Sequence, residues 1–180
     1  MIQANALWPF PPLSLPSPTL ASDLVLHLPS RDRALVLTES FFTRFAWICI
    51  PLEREQAFNE LVPLFYPSAT HNAASPNLET IAEKHPQELA LLFAVFGCAA
   101  STASPLASDD PKANYYAGLA RAAFSLRSFL EDASVTACQA LLLLDALATK
   151  LHKGPTKNVM RLVGVAQALA NNVRILIYYL

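Results

Sequence analysis

The chain has 180 residues, of which 53% are hydrophobic and 15% are charged, and its net charge at neutral pH is −1. This length fits one domain that buries on the order of 70% of the surface exposed by its unfolded chain. A domain that binds nucleic acid by itself normally carries a basic excess, because neutralising phosphates supplies much of the affinity, so the charge argues against independent DNA binding.

The first 27 residues are predicted to form a Pro-rich disordered tail or linker. Residues Trp8 to Thr19 read WPFPPLSLPSPT, and proline at this density removes backbone donors and fixes φ, so neither a helix nor a central strand is expected. An unstructured tail and an extended docking segment remain equally open. The start of the chain lacks the features of a secretory signal.

Because helical periodicity begins after this Pro-rich segment, we assign residues 28–180 to one helical domain.

Two helices are predicted next. From Arg31 to Ile50, apolar residues recur at steps of three and four, with Ser30 as the N-cap and Pro51 as the stop. The second helix runs from Glu53 to Tyr66 and begins with acidic residues, which suit the positive end of the helix dipole. Pro63 removes a donor in its last turn, so a kink or an early end is expected there.

The middle of the chain is predicted to be a loop followed by a central helix. Pro67 to Lys84 shows no periodicity, which indicates a loop. Pro86 suits the first turn of a helix, and Gln87 to Ala103 is apolar nearly all round, so this helix should lie in the core. The longest uncharged apolar run has about 15 residues, whereas a membrane span needs roughly 20. A buried helix is therefore the better interpretation.

A further helix is predicted to begin at Pro111, with Asp110 as its N-cap. Its apolar residues recur at helical spacing and are expected to share one face, while Lys112, Arg121 and Ser128 point elsewhere. The expected apolar stripe comprises Tyr115, Leu119, Ala122, Ala123, Leu126, Phe129 and Leu130.

The last part of the chain completes an all-α prediction. Ser134 is expected to cap a helix that reaches Lys153 and ends at Gly154-Pro155, and another helix starts near Asn158. Because no strand pattern is convincing, the sequence predicts an irregular bundle of about six helices. Four pairs of apolar residues should meet in one interior: Phe41 and Phe42, Leu91 and Leu92, Leu119 and Leu126, and Leu141 and Leu144.

No residue is assigned to a catalytic, metal-binding or DNA-binding site, and ligand-binding residues are left open. Nucleophile elbows, phosphate loops and zinc-binding spacings are missing. We expect none of the four histidines to pair with Cys, Asp or Glu as a metal site, and two of them, His71 and His85, to be solvated loop residues. The remaining histidines are His27 and His152. The cysteines Cys49, Cys98 and Cys138 are odd in number and lie in apolar stretches, so we expect buried thiols in a reducing compartment.

Charged clusters have simple structural explanations. The carboxylate pairs Asp109-Asp110 and Glu131-Asp132 flank predicted helix ends, where capping accounts for them. Arg121 and Arg127 are expected to pair with acids on neighbouring helices. The densest basic stretch either contacts phosphate or an acidic partner, or complements the negative end of a helix dipole. It consists of Lys150, His152, Lys153, Lys157 and Arg161.

Several segments, in order, resemble the fungal-specific transcription factor domain, the middle homology region of fungal zinc-cluster regulators. They are LPSRDRALVLTESFFTRFAW (Leu28 to Trp47), HPQELALLFAVFGCAA (His85 to Ala100) and YYAGLARAAFSLRSFLEDASVTACQALLLL (Tyr115 to Leu144). LVGVAQALA (Leu162 to Ala170) is a weaker match. The resemblance covers Leu28 to Ala170, and it depends on the order of the segments rather than on any one of them.

This resemblance implies a nuclear regulator whose helical region modulates activity, responds to an effector or binds protein partners. The family reads DNA through a separate N-terminal module with two zinc ions on six cysteines. No Cys precedes Cys49 here, so zinc and DNA contacts cannot be placed on this chain and no cofactor is expected in it. The family continues beyond the last matching helix, whereas this sequence ends with Asn171 to Leu180, which suggests a truncated product or a fragment. Its partners would be other proteins or the missing C-terminal half.

Two other classes of protein remain as alternatives. One is an unrelated helical scaffold or small-molecule-binding domain. The other is a membrane-associated helical protein, suggested by the apolar run Leu89 to Ala103 and the C-terminal VRILIYYL. An enzyme is not expected, because no catalytic arrangement is recognisable.

Overall fold

The computed structural model describes residues 19–67, 77–102, 111–127 and 134–151, together with residues 164, 167 and 168. Helices account for 79% of these residues and no strand occurs among them, so the all-α prediction is confirmed. The α-helices in this part of the chain are α1 (Leu20–Leu26), α2 (Arg31–Arg44), α4 (Leu78–Lys84), α5 (Pro86–Ala100), α6 (Pro111–Phe124) and α7 (Val135–Leu151). Helix α3 is α-helical over Arg54–Gln56 and Val62–Phe65, with a π-helical turn over Ala57–Leu61 between them.

Helix α5 is the centre of the fold. Every residue from Pro86 to Ala100 except Glu88 is buried, and the helix packs against α2, α6 and α7. A helix without a polar face is stable in water only when neighbours cover it on all sides. The expected central position of this helix is therefore confirmed. The four predicted residue pairs also share one core, with Phe42 and Leu126 packed at its margin.

Helix α2 ends at Arg44, six residues before the predicted end at Ile50. The backbone N–H groups of Phe45 and Ala46 both donate to the Phe41 carbonyl at 2.9 Å, and Ile48 donates to Phe45. The indole Nε1 of Trp47 donates to the Arg44 carbonyl at 2.9 Å. The Trp47 indole thus takes the place of the backbone N–H that would bind the Arg44 carbonyl if the helix continued. The chain leaves the helix at this point.

Helix α3 continues past Pro63 to Phe65, so the early end considered for it does not occur, and a π-helical turn precedes the proline. The Val62 N–H donates to the carbonyl of Ala57, five residues back. A proline ring clashes with the carbonyl four residues earlier and has no N–H to bind it. A turn with the wider i to i−5 spacing accommodates both effects without ending the helix.

Two short helices were not predicted. Helix α1 lies inside the expected tail 1–27 and buries Ala21 and Leu24, so that prediction was wrong for these residues, while residues 1–18 lie outside the described ranges. Helix α4 lies in the expected loop from Pro67 to Lys84. Its N-cap, Asn77, accepts a hydrogen bond from the Glu79 N–H at 3.1 Å. Each helix has only 7 residues and depends on packing, because isolated helices of this length are unstable.

The other predicted helix ends were partly correct. Helix α6 begins at Pro111, and Ser134 Oγ accepts a hydrogen bond from the Ala137 N–H at 3.0 Å. Ser30 occupies the N-cap position of α2 without a side-chain bond. The predicted cap at Asp110 and the predicted stop at Gly154-Pro155 lie outside the described residues. Residues 164, 167 and 168 are helical, within the last predicted helix.

The apolar stripe predicted for α6 was wrong at Tyr115. This side chain is 42% exposed, whereas Tyr116 packs against the rings of Phe93 and Phe96, with centroid distances of 6.4 and 5.6 Å. Leu119, Ala122 and Ala123 are buried as expected, and the expected members Phe129 and Leu130 lie outside the described residues. Two adjacent tyrosines fit the apolar spacing almost equally well, so only the packing of α6 on α5 selects between them.

A glycine permits the close approach of α5 to its neighbours. A Cβ at Gly97 would lie 2.9 Å from Leu147 Cδ2 and 3.4 Å from the Ala113 carbonyl oxygen, whereas a Cβ at Gly118 would meet nothing within 4 Å. We expect Gly118→Ala to raise the free energy of unfolding by about 0.5–1 kcal/mol, because alanine favours the helix. Gly97→Ala should lower it by about 1 kcal/mol, because overpacking outweighs the same gain.

Urea unfolding of the two alanine variants beside the parent chain measures both changes. Because the two substitutions add the same methyl group to a helix, their difference isolates the contacts at Gly97. Equal stabilisation by both would contradict the close packing of α5 described above.

Candidate functional site

The described histidines lie apart from one another. His27 follows α1, where its Nδ1 and the hydroxyl of Tyr115 form a 2.8 Å hydrogen bond. His85 is the N-cap residue of α5, outside the helix, and its side chain is 43% exposed, which agrees with the expected solvated loop residue; its Nδ1 lies 3.8 Å from Glu88 Oε2. Within the described ranges, no three His, Cys, Asp or Glu side chains are placed to hold a metal ion. His71 and His152 lie outside these ranges.

Most of the charged clusters considered above also fall outside the described residues. This applies to Asp109-Asp110, to Glu131-Asp132 and to the basic stretch after Lys150. Arg121 is partly buried, and burial lowers the pKa of its guanidinium. The pairing of Arg121 and Arg127 with acids stays a prediction. Within the described residues, Arg54 of α3 forms an ion pair with Glu39 of α2. The Arg54 guanidinium also lies over the rings of Phe42 and Phe58.

The cysteines form no disulfide. Cys98 and Cys138 are buried, as expected, and Cys49 is half-buried in the turn after α2 rather than in a helix. Burial raises the pKa of all three thiols, and the nearby Asp145 raises that of Cys49 further. A raised pKa leaves little thiolate at neutral pH, so these groups are poor nucleophiles.

One surface feature of the described residues is an exposed apolar turn, residues 47–50, between α2 and α3. Trp47 is 80% exposed, Ile50 63% and Ile48 43%. The indole of Trp47 is held by its hydrogen bond to the Arg44 carbonyl. Large apolar side chains grouped on a surface mark interaction sites more often than isolated ones do. Tryptophan in particular supplies much of the binding energy at protein interfaces.

Helix α7 fixes the position of the apolar turn. Gln139 is buried, and its Nε2 donates to the Pro51 carbonyl at 2.9 Å and to Gln56 Oε1 at 3.0 Å. The Gln56 amide returns a longer contact of 3.4 Å to Gln139 Oε1. Pro51, the residue that follows the turn, is therefore hydrogen-bonded to α7, which packs against the central helix α5. Restricting a surface in advance reduces the entropy lost when a partner binds.

Two cationic side chains belong to, or lie over, the residues that precede the apolar turn. Arg44 is exposed in the last turn of α2. Lys150 comes from α7, and its Nζ lies 5.5 Å from the ring centroid of Phe45. Asp145 of α7 is also near, but burial raises the pKa of its carboxyl group, and its Oδ1 is buried without a hydrogen-bond partner among the described residues. The exposed side chains of Glu53 and Glu55 follow the turn in sequence, so charges of both signs surround it.

A second feature is a cleft between α1 and α6, with a volume of about 340 Å³. Its walls are mostly leucine and alanine, with three polar side chains, from Asp23, His27 and Ser125. Leu26, at its edge, is 80% exposed. A cavity of this size is at the small end of the range that binds organic ligands. Sequence analysis missed the cleft because it had assigned α1 to the tail.

Comparisons of the chain with protein-family models, with curated proteins and with solved structures found no match. Among the described helices, none is both long enough and apolar enough to cross a membrane.

The hydrogen bonds of Gln139 should be important for stability. We expect Gln139→Leu to lower the free energy of unfolding by about 1–2 kcal/mol, because the half-buried Pro51 carbonyl and Gln56 amide lose their partner. Gln56→Leu is the matched control and should cost less, since Gln139 keeps its bond to Pro51. Urea unfolding measures both. Equal losses in the two variants would show that the bond to Pro51 contributes little.

Thiol reactivity should follow burial and pH. We expect an alkylating reagent to modify Cys49 first and Cys98 only after unfolding, because Cys98 is fully buried. Since burial raises the pKa of Cys49, its modification rate should level off at a higher pH than that of a cysteine in a short unfolded peptide. Mass spectrometry of labelled peptides over a pH series measures both. Labelling of Cys98 as fast as Cys49 in folded protein would contradict the described packing.

Proposed function

We propose that this chain is the regulatory and interaction region of a fungal transcription factor, acting in the nucleus without a DNA-reading module of its own. The observation that carries the proposal is the exposed apolar turn of Trp47, Ile48 and Ile50 beside a helical core. A region that modulates transcription through other proteins needs such a surface. The ordered resemblance of Leu28 to Ala170 to the middle homology region supports the same assignment.

The proposed mechanism is protein contact rather than chemistry. Partner proteins, or a C-terminal half of the same domain, would pack against helical faces of this chain. DNA would be reached only through a separate zinc module, so no cofactor is assigned to this chain and no residue is given a catalytic role. The net charge of −1 supports this division, because a DNA-reading domain needs a surplus of cations.

A second candidate function is the binding of a small molecule by a helical domain unrelated to transcription. The cleft between α1 and α6 favours it, because its leucine walls and few polar groups suit a compact, mostly apolar compound. The genomic sequence upstream of this reading frame distinguishes the two candidates. A six-cysteine cluster followed by a basic linker supports the transcription factor, and its absence supports the second candidate.

A tethering experiment tests the regulatory function directly. We expect the chain, fused to an unrelated DNA-binding domain in a fungal host, to change the transcription of a reporter at least about threefold relative to that DNA-binding domain alone. The physical reason is recruitment, since tethering raises the local concentration of whatever the chain binds. An unchanged reporter with well-expressed fusion protein would refute the regulatory function.

DNA binding by the chain alone provides an independent test. At a salt concentration of about 150 mM, we expect no sequence-selective binding of duplex DNA, because weak non-specific contacts are screened under these conditions. Electrophoretic mobility shifts with competitor DNA measure this. Selective, salt-resistant binding would overturn the assignment of DNA reading to a separate module.

A further inference from the structure

The exposed apolar side chains of the described residues are concentrated along α7. Eight large apolar side chains are exposed in this part of the chain, and five of them lie either in the apolar turn or on α7. The two on α7, Val135 and Leu142, are seven residues apart and so share one side of the helix. Leu142 comes one turn after Gln139, whose amide binds the Pro51 carbonyl. The turn and this side of α7 thus adjoin in one surface, the apolar band, which consists of Trp47, Ile48, Ile50, Val135 and Leu142.

The apolar band faces away from the core. The side of α7 that packs against α5 buries Ala137, Leu141 and Leu144, and a rotation of about 100° per residue places Val135 and Leu142 away from these three. A helix with apolar residues on two sides is most stable when neighbours cover both of them, as they cover α5. Within the described ranges, the large side chains of the band stay exposed. The band is therefore a surface that a further element of structure can cover.

The chain leaves α7 at one end of the apolar band. Helix α7 ends at Leu151, and Lys150 Nζ lies 5.5 Å from the ring centroid of Phe45, two residues before Trp47. The sequence predicts a connection of a few residues around Gly154-Pro155 and then another helix. Helices joined by a connection this short commonly pack antiparallel to each other. The next helix is therefore tethered at a point from which it can return along α7 and the apolar turn.

The described residues of the last predicted helix show which of its sides is exposed. Gly164, Gln167 and Ala168 are helical and exposed, and a Cβ at Gly164 would meet nothing within 4 Å. At about 100° per residue, the sequence places four apolar residues on the opposite side of that helix. These residues are Leu162, Ala166, Leu169 and Val173. An apolar side that continues over three turns of a helix requires a matching apolar surface.

We propose that the segment 158–173 of this chain packs its apolar side on the apolar band, antiparallel to α7. Leu162 would lie nearest the apolar turn, and Val173 would lie nearest Val135. The short tether raises the local concentration of the segment to about the millimolar range, so a partner protein must displace it to reach Trp47. This inference goes beyond the proposed function, because the contact lies within one chain and holds with or without a transcriptional role.

Tryptophan fluorescence of the full chain tests this contact. The chain has two tryptophans, so Trp8→Phe leaves Trp47 as the only one, and quenching by acrylamide measures how accessible its indole is. In native protein we expect a quenching constant at least about threefold lower than in urea, because the segment covers the indole. Leu162→Asp and Leu169→Asp, each made in that background, should raise the native constant about threefold, since a carboxylate on the apolar side disfavours packing. Gln167→Asp is the matched control, because it introduces the same residue on the exposed side of the same helix.

Thiol alkylation provides a second measurement and a check of folding. Cys49 lies within the apolar turn, so Leu162→Asp should raise its alkylation rate about threefold, whereas Gln167→Asp should leave the rate within about twofold of the parent value. Cys98 is fully buried in α5 and stays unmodified as long as the core is folded. A variant in which Cys98 reacts is unfolded, and the native quenching constant of Trp47 in the Trp8→Phe protein then decides alone.

Three results contradict the proposal. They are a Trp47 that is quenched as readily in native protein as in urea, equal quenching in the two leucine variants and the Gln167→Asp control, and protection of Trp47 that is lost on dilution. The last would mean that a second copy of the chain covers the band. An accessible Trp47 in a chain that regulates the tethered reporter removes this inference but leaves the proposed function intact. A protected Trp47 without any reporter effect supports the contact within the chain and refutes the transcriptional role.

Discussion

The structure depends on one constraint, the need to cover α5 on every side. This helix has no polar face, and its only residue outside the core is Glu88. Helices α2, α6 and α7 pack around it, and Gly97 lets Leu147 and the Ala113 carbonyl come close. Burying each large apolar side chain contributes about 1.5–3 kcal/mol. The other described helices are therefore arranged around a single buried helix, rather than paired side by side as equals.

The same arrangement creates the surface to which a function can be assigned. Helix α2 ends early, and the chain then passes along α7, from Lys150 at Phe45 to Gln139 at Pro51, before α3 begins. Gln139 ties this connection to the core through the Pro51 carbonyl, and the Trp47 indole is held by the Arg44 carbonyl. The apolar side chains of the turn are therefore exposed between two hydrogen-bonded points, Trp47 and Pro51.

The described part of the chain offers surfaces for binding and few groups suited to catalysis. Its thiols are buried and have raised pKa values, and its described histidines make single contacts with Tyr115 and Glu88. The apolar turn suits a protein partner, whereas the cleft between α1 and α6 suits a small ligand. Because the two features involve different helices, occupation of one does not require occupation of the other.

Sequence alone determined the fold class and the centre of the core, because apolar residues around a whole helix, as in Leu89 to Ala100, leave that helix only a buried position. It also gave the start of α6 at Pro111, since proline there needs no partner for a missing N–H. Tertiary structure decided the choice of Tyr116 over Tyr115, the short helices α1 and α4, and the end of α2 at Arg44. Each of these depends on contacts between residues distant in sequence or on a side chain that caps the backbone. For the same reason, the apolar turn and the cleft could not have been read from periodicity.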